Sequence, residues 1–414
     1  LPDELNNVNG YDATVAQNTN VNWLDQVLRE GVYRDVSLSG SSASEKTSIY
    51  GSLSYRNEQP VEIGRNYQIG NARVNAQLKP SEKFNLGANI ALALISDNNL
   101  GDYFSKAQSS ALPIYPIYQP SQPELYFNGF NTFNRNVGTN PLFEMDNFKN
   151  TTKTTRNTST VFAEYTPIAG LALRTEWAYD LQTNFNDQIS TRLLFPAAAQ
   201  NVGARGIGNG QSQTRRFQSN AWNANNTITY GRTFKETHSF TGLIGSSILN
   251  TQSQGESIIA EGFAFDYENV LGGTATVLNP SRSQFRFASL FSRFNYNYNK
   301  KYFAEVSARI DGSSRFSKEN RVAKFGGASL GWAISEENFL KDVSFIDYLK
   351  LRASYGSVGN SEVPTDFPYV STFNLTDSEI LYANFNGATF GFLGNRLLGW
   401  ETTNQANLGL DFNL

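Results

Sequence analysis

The chain has 414 residues, with 39% hydrophobic and 13% aromatic side chains, a net charge of −3, one histidine and no cysteine. It is too long for one ordinary soluble domain but suits one large barrel. The near-neutral charge gives no general affinity for nucleic acid, and the absence of cysteine excludes disulfide frameworks, thiolate nucleophiles and cysteine metal sites. No apolar run approaches the ~20 residues of a transmembrane helix, whereas transmembrane strands need only ~9–11 alternating residues. Few aliphatic side chains beside 20 Tyr and 30 Phe match a lipid-facing barrel with a wet lumen. No signal peptide precedes Leu1, although a secreted barrel needs one, so the expectation is that the chain starts after its true beginning.

Residues 1–31 read as a polar, irregular linker that ends in one or two helical turns over Trp23–Arg29, capped by Asn20 or Asn22, with Gly31 as the stop. From residue 32 to 414 the pattern is an antiparallel transmembrane β-barrel segment. Ala72, Val74, Ala76 and Leu78 alternate with Asn71, Arg73, Asn75 and Gln77. Phe84 to Leu94 presents the clearest apolar face. Leu171, Leu173, Trp177 and Tyr179 alternate with Arg174, Glu176 and Asp180. Between 285 and 336 three passes follow one another, with Leu290, Phe294, Tyr296 and Tyr298 opposed to Arg293 and Asn295, and Ala304, Val306 and Ile310 opposed to Glu305 and Arg309. Period-two patterning with one polar face excludes helix here, and Tyr and Trp near the ends of the apolar faces form girdles.

Short connections are expected near 80, 166, 231 and 300. Long ones are expected at about 57–66, 96–150, 186–211, 251–283, 312–321 and 359–401, a strict alternation that suits short turns on one side of a membrane and long loops on the other. The count is about thirteen strands, odd and open at both ends. Open edges in lipid leave unpaired backbone groups that each cost several kcal/mol, so the chain is expected to be an internal piece of a larger barrel.

No catalytic constellation emerges, no metal site is assembled and no cofactor is implied. His238 reads as an ordinary strand-end histidine on the short-turn side. Arg174, Glu176, Arg293, Glu305 and Arg309 face the expected lumen. Arg309, Asp311 and Arg315 read either as a ligand-contacting cluster or as a turn, since Asp-Gly-Ser-Ser favours turns and an Arg–Asp pair can brace the wall. Tyr115, Tyr118, Tyr126, Phe127, Phe130 and Phe133 crowd one long loop. Their rings suit packing on one another, contact with a partner protein or stacking on substrate. Asp266, Tyr267 and Glu268 are a weak cation signal without EF-hand spacing.

Four stretches resemble the SusC/RagA-type TonB-dependent transporters of the Bacteroidetes outer membrane: Asn22–Gly31 (NWLDQVLREG), Arg309–Phe316 (RIDGSSRF), Gly331–Glu337 (GWAISEE) with Leu349–Gly356 (LKLRASYG), and Trp400–Phe412 around WETT and NLGLDF. The resemblance implies a 22-stranded barrel with a plug absent from this chain, energy from the TonB complex through the missing N-terminal region, and a SusD-like lipoprotein as lid. It implies import of oligosaccharides or peptides across outer-membrane lipid, and no enzymatic activity. The alternatives are an iron-chelate or cobalamin receptor, and a structural barrel recruited into a larger cell-surface complex.

Overall fold

The computed structural model describes residues 11–101, 103–109, 111–127, 140–192, 210–263, 273–340, 347–374, 381–382, 385–386 and 388–413. Thirteen strands pair into one antiparallel sheet. They are β1 (Val32–Ala43), β2 (Thr47–Gln59), β3 (Asn66–Ser81), β4 (Phe84–Asn98), β7 (Phe148–Ile168), β8 (Leu171–Ser190), β9 (Gln211–Phe234), β10 (His238–Glu261), β11 (Thr274–Tyr298), β12 (Tyr302–Ser313), β13 (Val322–Ala333), β14 (Tyr348–Asn360) and β19 (Glu401–Asn413). Each pairs with its neighbour in that order, and β1 and β19 are the edges. The connections hold the ribbon β5 (Tyr118–Gln119) and β6 (Gln122–Tyr126), and the short strands β15 (Thr372–Asn374), β16 (Leu381–Tyr382), β17 (Phe385–Asn386) and β18 (Thr389–Phe392). Among the described residues they also hold the helices α3 (Tyr103–Ser109) and α4 (Pro141–Asn147), while α1 (Ala13–Asn18) and α2 (Trp23–Val27) precede β1.

Register assigns the faces. Directly paired residues share a face, so Phe294, Val306, Ala328 and Tyr355 form one row, and Tyr298, Tyr302, Trp332, Leu351 and Leu410 another. This apolar face leaves Leu38, Leu290, Leu330 and Leu408 more than half exposed. That is costly in water, at about 25 cal/mol per Å² of apolar surface, and costless against hydrocarbon. The opposite, polar face carries Arg–Glu pairs and hydrogen-bonded Asn and Thr, such as Asn186 Nδ2 on Thr152 Oγ1 at 2.9 Å.

Three of the short turns fall two to five residues later than Pro and Gly suggest, and the one expected near 300 lies there. Pro80 and Pro167 lie at register shifts inside the strand ends, where a missing N–H is tolerated, and the chain reverses at Gly170, whose φ is +85°. The turn expected near Gly231 lies instead at Lys235-Glu236, and the next at Asn299-Lys300. All four residues have positive φ, the signature of tight type I′ hairpins.

Strands also outrun their apolar faces. The loop expected at 251–283 shrinks to 262–273, because β10 and β11 stay paired to Glu261↔Thr274. Ladder hydrogen bonds need no apolar face, so polar stretches such as Gln252–Ser257 continue the strand beyond the band.

The expected irregular linker contains α1, whose start Asp12 caps by accepting from the N–H groups of Thr14 and Val15 at 2.8 and 2.9 Å. The loop expected at 96–150 is likewise not structureless, since it holds α3, β5, β6 and α4. β1 begins at the end of the sheet that carries the long connections, so α1 and α2 lie among them. There Tyr11, Trp23, Val27, Tyr103, Tyr115 and Phe127 form a small buried core.

Candidate functional site

The polar face holds a trough of about 1070 Å³ beneath the long connections, walled by Phe287, Phe291, Arg293, Glu305, Arg309 and Trp400. β11 and β12 place the first five by period-two geometry, and Trp400 comes from the last residue before β19. Arg309 Nε donates to both oxygens of Asp311 at 2.6 and 2.7 Å, and its second nitrogen reaches Ser289 Oγ at 2.8 Å. Its guanidinium lies 5.6 Å from the centre of the Phe291 ring. Asp311 is buried, so the pair fixes the Arg309 fork against the wall. Arg293 faces Glu305 at 3.6 Å, an exposed pair worth about 0–1 kcal/mol.

Arg174 and Glu176 lie on the same face, two strands beyond the trough. Arg174 bonds Glu176 at 2.6 Å, approaches Glu164 at 3.6 Å and stacks 4.0 Å above the Phe162 ring. All five charged residues singled out in the sequence thus issue from the face opposite the apolar band, in two groups. The aromatic walls were missed. Their signal is Phe285, Phe287 and Phe291, which break the polar alternation of β11.

The Arg309–Phe316 stretch divides between strand and bracket. Asp311, Gly312 and Ser313 belong to β12 and are not the turn expected of them, because the ladders to β11 and β13 continue through Gly312. Ser314 exchanges hydrogen bonds with the backbone of Arg286, at 2.9 Å each way. Arg315 Nε bonds Asp366 at 3.2 Å, its other end reaches Glu362 at 2.9 Å, and it stacks on Phe285 at 4.2 Å. Phe316 is buried beside Trp400. The motif ties the β14–β19 connection over the trough.

The aromatic loop also divides. Tyr115 and Phe127 are buried in the small core, against Tyr11. Burial pushes the Tyr11 and Tyr115 phenols above their ordinary range. Tyr118 and Tyr126 stack at 5.2 Å, with Tyr118 exposed. Burial, then the hydrogen bond to Asp146, raises the Tyr126 phenol. Phe130, Phe133 and the Asp266–Glu268 stretch lie outside the described residues. Within the Asn22–Gly31 stretch, Trp23 Nε1 donates to Leu112 O at 2.9 Å, and Arg29 reaches Pro60 O and Arg65 O at 3.1 and 2.8 Å. His238 opens β10 and shares a 2.7 Å hydrogen bond with Tyr296.

Residues 116–414 match the family model described as "TonB dependent receptor-like, beta-barrel". The chain belongs to this family. It is an outer-membrane β-barrel chain of the SusC/RagA type, in a family of transporters rather than enzymes. It is 29% identical to TonB-dependent receptor P26 of Formosa agariphila over 95% of this chain and 39% of that protein. It is 26% identical to TonB-dependent receptor SusC of Bacteroides thetaiotaomicron, over 95% and 40%. The fold matches the structure of the RagAB peptide transporter with a TM-score of 0.74 and 22% identity, over 95% of this chain and 44% of that one. The chain therefore spans about two-fifths of the length of the curated relatives.

Proposed function

We propose that the whole TonB-dependent protein imports oligosaccharides or peptides across the outer membrane. The polar face lines its lumen, a SusD-like lipoprotein covers the side bearing the long connections, and the TonB system supplies energy through a part outside this chain. The carrying observation is the trough on the polar face, where aromatic walls from Phe287, Phe291 and Trp400 stand beside the fixed fork of Arg309. Rings stack on sugar faces and on peptide side chains, and a guanidinium donates to hydroxyls, carbonyls and carboxylates.

In this reading residues 1–31 lead into the barrel wall, which runs from 32 to 414. Arg174 and Glu176 meet the plug, and the stacked pair of exposed Tyr118 and half-buried Tyr126 contacts lid or substrate, with Phe130 nearby in sequence. Tyr115 and Phe127 support that surface from beneath.

The test is uptake by cells carrying the full-length protein, offered fluorescent oligosaccharides and peptides with and without an intact TonB system. Uptake that needs both the protein and TonB, and falls with Arg309→Ala, supports the reading. TonB-dependent uptake of iron chelates alone, or no TonB-dependent uptake, contradicts it.

A further inference from the structure

On the apolar face β11 runs Tyr298, Tyr296, Phe294, Ser292, Leu290 and Ala288 before it reaches Arg286. Arg286 is thus the first charged outward residue beyond the apolar band, on the side of the long connections. Its cross-strand partner is Asn250, whose next partner is Trp222. Asn250 is 5% exposed, and its Oδ1 accepts from Arg286 Nε at 3.1 Å. The backbone of Arg286 is fixed as well, through Ser314. The guanidinium is therefore held from behind while its residue stays exposed.

A cavity of about 680 Å³ opens at this point. Trp222, Ile248 and Ala288 supply its apolar part, Asn250 and Arg286 its polar part, and Tyr369 of the β14–β19 connection borders it. Among the described residues that line it, the charged ones are Arg286 and Arg321, with no carboxylate. An apolar floor level with the band and a cationic rim beyond it fit an amphiphile with an anionic head.

We propose that this cavity binds an outer-leaflet lipid, with the phosphate of a phosphorylated glycolipid head group on Arg286 and its acyl chains along Trp222, Ile248 and Ala288. A planar guanidinium pairs with phosphate through two parallel hydrogen bonds. Tryptophan is at home at the boundary between chains and head groups. Arg286, Asn250, Trp222, Ile248 and Ala288 lie on the apolar face, opposite Arg309, while Leu249 and Phe287 line both this cavity and the trough; the proposal does not depend on the import reading.

The probe is lipid A. Full-length protein in mild detergent is titrated with lipid A and, separately, with phosphatidylcholine, and bound lipid is counted by native mass spectrometry. The expected result is saturable lipid A binding that weakens about fivefold in Arg286→Gln, the scale of one interfacial cation. Binding also weakens in Asn250→Ala, recovers partly in Arg286→Lys and is unchanged in Lys300→Gln at the opposite end of the sheet. Heat-modifiable migration in gels checks that each variant is folded, and Asn250→Ala carries the test if Arg286→Gln does not fold. Equal lipid A binding by wild type and folded variants overturns the proposal. So does equal binding of phosphatidylcholine, or displacement of lipid A by inorganic phosphate at equal concentration, which marks a soluble-anion site.

Discussion

Arg315 Nε lies 3.2 Å from Asp366 Oδ1 across 51 residues of sequence, with both side chains mostly shielded from water. This bond holds the β14–β19 connection over β11, where Ser283 also bonds Asp366. Charge-assisted hydrogen bonds contribute about 1.5–3 kcal/mol. Arg315→Ala is expected to lower the local stability of residues 361–371 by about that amount. Hydrogen exchange there should speed up while β11 and β12 keep their protection. Arg315→Lys should restore little, because a lysine cannot bond Glu362 and Asp366 as a fork while stacking on Phe285.

Trp23 joins α2 to the long connection after β4 by burial and by its bond to Leu112. Removing such a ring costs about 3–5 kcal/mol. Trp23→Ala should open residues 99–147 to limited proteolysis and leave the thirteen-stranded sheet resistant. Equal digestion of both regions would show that the small core and the sheet unfold together.

Phe162 is sandwiched between Gly87 and Arg174. A Cβ built on Gly87 would stand 2.2 Å from the Phe162 ring, far inside contact distance. Gly87→Ala must push that ring from beneath the Arg174 guanidinium, at an overpacking cost of about 1–3 kcal/mol. Urea unfolding from vesicles should show the loss, and Gly87→Ala with Phe162→Leu should recover part of it.

Much of the wall was legible because a strand with lipid on one side and water on the other writes its geometry in period two. Phe84 to Leu94 and Arg293 to Ile310 place their faces by alternation alone. The strand ends were not legible. Once β10 and β11 leave the apolar band, Gln252 or Ser281 carries no sign that the ladder continues. Pro80, Pro167 and Gly231 misplace the turns, because bulges absorb the prolines while Lys235 and Glu236 take left-handed backbone. The trough was half legible: Arg309 and Asp311 showed it, whereas Trp400 reaches it only through ring contacts 75 to 113 residues away, with Phe325, Phe316 and Phe287.

Glu337 accepts from Tyr302 at 2.6 Å, from Lys301 at 3.2 Å and from Trp332 Nε1 at 3.2 Å. These bonds, that of Tyr302 first, hold its carboxyl below the ordinary 4.5. A depressed carboxylate contributes stability that is present above its unfolded pKa and lost as pH falls through the lower folded value. Wild type should therefore melt above Glu337→Gln at pH 5 to 7, and the gap should close as pH falls below 4.5. A gap that widens on acidification would contradict this assignment.

The most direct test of the account is to purify the native full-length protein in mild detergent and identify everything that accompanies it by mass spectrometry. The account predicts a SusD-like lipoprotein in near-equal amount, with oligosaccharide or peptide in the preparation. A large unrelated surface complex, with no such lipoprotein, would contradict it.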